Sequence, residues 1–99
     1  MRSLKSKPLS TRQAAQEVAI GVLGFMAGDP ERIGAFLAET GLSPADLRGV
    51  AGSPAFHVAL LDHLINRQDL LIDYAAQAKI DPGHVVVARD ILAHAGSED

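Results

Sequence analysis

The hydrophobic and polar positions of this chain fall into blocks of helical period, each closed by a short polar stop. The most apolar block is Val18-Ala-Ile-Gly-Val-Leu-Gly-Phe-Met-Ala27, ten residues without a charge or a strong hydrogen-bonding side chain. It predicts a central helix over Thr11–Ala27, opened by a capping box of Ser10 and Gln13 and closed at a Gly28 cap. On a helical wheel Val18, Val22, Phe25 and Met26 lie on one side and Ile20, Leu23 and Ala27 on another. Glu17, Gly21, Gly24 and Gly28 form a stripe between them. Each interior glycine costs a helix about 1 kcal/mol relative to alanine. A close backbone approach is the expected compensation, either an internal helix crossing or a groove for a partner helix.

The punctuation along the rest of the chain is regular. Asp29-Pro30, Ser43-Pro44, Ser53-Pro54 and Asp81-Pro82 each place a side-chain acceptor before a proline whose missing N–H costs nothing in a first helical turn. These pairs predict a second helix from Pro30 to a stop at Gly41, a third over 44–50, a fourth over 54–65 and a sixth over 82–95. A fifth falls between the last two, over 68–79. Residues 1–9 read as a flexible basic arm, 10–95 as the helical domain and 96–99 as a frayed tail. Val85-Val86-Val87 is β-branched enough for a strand, but with a helix start at Asp81 and no partner strand it is kept helical. The fold class is therefore all-α, a compact single-domain bundle of five to six short helices. An offset of 38 aligns Ile20, Val22, Leu23 and Met26 with Val58, Leu60, Leu61 and Leu64, so helices 1–2–3 and 4–5–6 read as two comparable halves.

Charge alters this picture mainly at one end. Arg2, Lys5, Lys7 and Arg12 take four of the nine basic side chains and none of the twelve acidic ones, so residues 13–99 carry five against twelve. An acidic body of that kind is a poor surface for a phosphate backbone. The four basic residues of the arm are the candidate nucleic-acid contacts, and a solubilising tail is the plainer reading. No cysteine is present, which removes disulfides, thiolate chemistry and cysteine zinc sites. Polar Gln13, Gln16 and Glu17 separate the last cation from the apolar run, which is unlike a signal peptide, and no run reaches the length of a membrane span. The expectation is a soluble, cytoplasmic protein.

Three segments carry a resemblance: Phe25-Met-Ala-Gly-Asp-Pro30; Phe36-Leu-Ala-Glu-Thr-Gly-Leu-Ser-Pro-Ala-Asp-Leu-Arg48; and Pro54-Ala-Phe56 ahead of Leu60-Leu-Asp-His-Leu64. Over residues 13–94 the chain resembles a family of small all-helical alphaproteobacterial proteins, a domain of unknown function. The resemblance implies a bacterial cytoplasmic protein and supplies no catalytic or binding residues.

Candidate chemistry is sparse. His57 falls between Leu61 and Leu64 on the fourth helix and reads as a core residue with one hydrogen-bonded nitrogen; the sharper alternative is a ligand-binding or pH-sensing group. His63 is expected on the opposite, polar side with Asp62 and Asn66. At six residues apart the two histidines lie about 120° around the axis and cannot share a metal. Asp90 and His94 have chelating spacing but no third ligand, and Asp69 with Asp73 reads as solvated surface, so no metal and no cofactor are expected. Ser43 and Ser53 read as caps, and no serine has a base marked for it, so nucleophilic catalysis has no candidate.

Surplus apolar surface is more informative. The sixth helix has Val85, Ala88 and Leu92 on one stripe and Val87, Ile91 and Ala95 on another; the fifth carries Leu70 and Ile72 beside Leu71, Tyr74, Ala75 and Ala78. Either the excess is buried centrally or it meets a partner, a second copy of the chain being the simplest. Gly21, Gly24, Leu70, Ile72, Val87 and Ile91 are the candidate partner surface. The expected function is a non-enzymatic interaction or adaptor module. A nucleic-acid-associated regulator using the arm and a small-ligand domain around His57 are the alternatives.

Overall fold

The computed structural model describes residues 12–97, and these form six helices in one domain, with no strand among them. They are α1 (Arg12–Ala27), α2 (Pro30–Thr40), α3 (Pro44–Val50), α4 (Pro54–Ile65), α5 (Gln68–Ala78) and α6 (Pro82–Ser97). Val85-Val86-Val87 is helical, as the start at Asp81 requires. Helix α6 continues through Gly96 and Ser97, two residues into the segment expected to fray. The arm, with Ser10 of the expected capping box, lies outside the described residues.

The four acceptor–proline pairs act as the sequence predicts. Asp29 accepts from the Glu31 amide at 2.9 Å, Ser53 from Phe56 at 3.1 Å and Asp81 from Gly83 at 2.8 Å. Ser43 and Asp46 form a reciprocal capping box that starts α3. At the helix ends the chain departs from expectation twice. Gly41 takes the left-handed conformation (φ 79°) and stops α2, but Gly28 is not a left-handed cap. Its amide still bonds to the Gly24 carbonyl at 3.0 Å and the Asp29 amide to Met26 at 3.2 Å. The corner must deliver Asp29 in extended geometry (φ −137°, ψ 118°) to cap α2, and tightening the last turn does this without a reversal. The second left-handed residue is Lys79 (φ 60°, ψ 45°), whose amide and that of Ile80 both reach the Ala75 carbonyl.

The core is built mainly by α1, α4 and α6. Val22 and Met26 of α1, Leu60, Leu61 and Leu64 of α4, and Val85, Ala88 and Leu92 of α6 are fully buried, with Phe36 of α2 added from one side. Full burial of one such large apolar side chain is worth about 1.5–3 kcal/mol, so this cluster dominates the folding energetics. Helix α6 packs most extensively along α4 and then along α1.

The centre of the molecule is thus not α1 alone. Helix α4 buries six residues, Phe56, His57, Leu60, Leu61, His63 and Leu64, which span about 160° of its circumference. Helix α1 leaves Ile20, Gly21 and Gly24 exposed in spite of its uncharged run. Ile20, Gly21, Gly24 and Ala27 share the side of α1 turned away from the core, whereas two histidines that count as polar in a pattern are buried in α4. The two halves also diverge at their third helices. α3 has seven residues, none buried, while α6 supplies a full face of the core.

Candidate interaction surface

The exposed glycine stripe of α1 divides in two. A Cβ placed on Gly21 would lie 2.6 Å from the Tyr74 hydroxyl oxygen, so the side chain of Tyr74 in α5 reaches over α1 at this position. Tyr74 is held there by an edge-on contact with Phe25 at 5.5 Å, and its burial pushes the phenol pKa upward. Nothing lies within 4 Å of a Cβ on Gly24. The remaining candidates separate similarly. Leu70 is buried in the core and Ile91 is half-buried against it, so neither presents a free surface; Ile72 (56% exposed) and Val87 (42%) do. Among the described residues, Ile20 (60%) and Val86 (40%) are the other large exposed apolar side chains.

One surface was not singled out by the sequence. Pro54, Ala55 and Val58 of α4 and Leu92 and Ala93 of α6 line an open, mostly apolar groove of about 370 Å³. The two helices run antiparallel along this seam, since Arg89 of α6 bonds Asp62 of α4 at 2.7 Å one turn further on. The Arg89 guanidinium also donates to Asp90 at 3.2 Å, and the two carboxylates raise its pKa. Val86 lies seven residues before Ala93, about two turns along the same stripe of α6. The seam therefore offers an apolar groove, a charged middle and an exposed valine beyond it. The available signal was the i, i+7 pair Val86 and Ala93, which the stripes through Val85 and Val87 obscured.

Both histidines of α4 are buried and neither lines the groove. His57 Nε2 donates to the Ala51 carbonyl at 2.7 Å, which fixes the proton on that nitrogen because the carbonyl can only accept. The Nδ1 atom is enclosed without a partner. The bond satisfies a carbonyl at the end of α3, so His57 ties α3 to the core. His63 is the larger surprise, for it points inward rather than with the polar side. Its Nδ1 donates to the Glu39 carboxylate of α2, its ring packs edge-on against Phe36 at 5.3 Å, and Nε2 is enclosed without a partner. A carboxylate-oriented imidazole is the geometry of a general base. Here, however, the nitrogen that would take the proton faces the core, out of reach of a substrate.

The other candidates lie apart. Arg2, Lys5 and Lys7 are outside the described residues, and Arg12 is exposed at the start of α1. Asp62 pairs with Arg89 of α6. Asp69 interacts with Arg67, whose side-chain hydrogen bond lowers its pKa. Among the described residues no group of three His, Asp or Glu side chains could hold a metal, and no helix is long and apolar enough to cross a membrane.

Comparison with known proteins adds a family and no activity. The model of a family described as a protein of unknown function, DUF3572, matches residues 12–95. No curated protein and no solved structure matches the chain.

Proposed function

The chain belongs to this family of unknown function, and we propose that it is a non-enzymatic interaction module that receives a partner helix along the α4–α6 seam. The observation that carries this reading is the apolar groove between Pro54, Ala55 and Val58 of α4 and Leu92 and Ala93 of α6, continued by exposed Val86 on the same stripe. An opening of that size lined by small apolar residues accepts a large aliphatic or aromatic side chain, and the Arg89–Asp62–Asp90 charges beside it would set register. A second copy of the chain is the simplest partner, in the bacterial cytoplasm that the family resemblance suggests.

Light scattering across a range of concentrations tests this directly. The wild-type chain should form a dimer that Ala93→Glu and Val86→Asp each dissociate, while both variants keep the unfolding midpoint that the wild-type chain shows at concentrations where it is monomeric. A chain that stays monomeric at every concentration would refute self-association. In that case a heterologous partner must be recovered by wild-type bait and lost with both variants; recovery indifferent to them would remove the seam as the docking face.

A further inference from the structure

We draw no further inference here: the strongest candidate, the charged cleft of about 240 Å³ between the first turns of α2 and α5, lined by Asp29, Glu31, Arg32, Arg67, Asp69 and Leu70, rests on two helix N-termini whose arginines already meet Asp29, Asp69 and the Phe25 ring, and nothing in the structure points to a ligand there.

Discussion

A side chain at Gly21 would meet the Tyr74 hydroxyl, and one at Gly24 would meet nothing. Gly24→Ala should raise stability by about 1 kcal/mol, because the substitution removes backbone freedom from the unfolded chain and meets nothing within 4 Å. Gly21→Ala should forfeit that gain, since its methyl group would displace Tyr74 from Phe25. Chemical denaturation of the two variants side by side checks this; equal midpoints would mean that Tyr74 yields freely. Lys79 is the converse case, a side chain in a conformation that favours glycine. Lys79→Gly should stabilise by up to about 1 kcal/mol, with a lowered or unchanged midpoint counting against a strained cap. At His57, replacement by phenylalanine keeps an aromatic ring of somewhat larger volume but leaves the Ala51 carbonyl without its donor. A loss of about 1–3 kcal/mol is expected in the same measurement.

Among the elements, the caps differ in what they hold. Ser53 starts a helix with six buried residues and Ser43 starts one with none. Ser53→Ala should therefore cost about 1 kcal/mol of global stability. Loss of the Ser43 cap should instead appear as local opening of α3, read by hydrogen exchange with the global midpoint nearly unchanged. The α3 cap also has a pH dependence with a definite sign. Hydrogen bonds from the Ser43 backbone and then its hydroxyl lower the Asp46 pKa in the folded chain. The stabilisation is present above the ordinary carboxylate value of about 4 and disappears as the pH falls through the lowered folded value. An NMR titration should find the Ser43 amide resonance constant from neutral pH to about 4 and moving below it, and Asp46→Asn should abolish that transition.

Among the described residues, the buried hydrophobic core extends from Ala15 to Leu92, and the exposed apolar residues lie on several different helices. If residues 1–9 are the flexible arm that the sequence predicts, a chain beginning at Ser10 keeps the wild-type unfolding midpoint. A marked loss on removing residues 1–9 would place part of the stability in the arm. The same truncation separates the interaction reading from its nucleic-acid alternative. Association through the seam survives it, whereas binding to duplex or single-stranded nucleic acid at low salt would be lost with Arg2, Lys5 and Lys7.

The sequence by itself determined the helices and most of their ends, because caps, prolines and the left-handed Gly41 act within a few residues of chain. Asp29, Ser43, Ser53 and Asp81 are legible for that reason, and so is the burial of His57 on an apolar stripe. Tertiary structure alone decided which helix is most enclosed, which way His63 faces and which surplus side chains remain exposed. Those outcomes depend on neighbours distant in sequence: Glu39 and Phe36 draw His63 inward, Tyr74 fills the space over Gly21, and the core takes Leu70 while leaving Ile72 out. Periodicity assigns a residue to a face of its own helix, but it carries no information about what packs against that face. The groove between α4 and α6 belongs to neither helix separately. It exists because their small side chains meet across an antiparallel seam, with the Asp62–Arg89 bond one turn away.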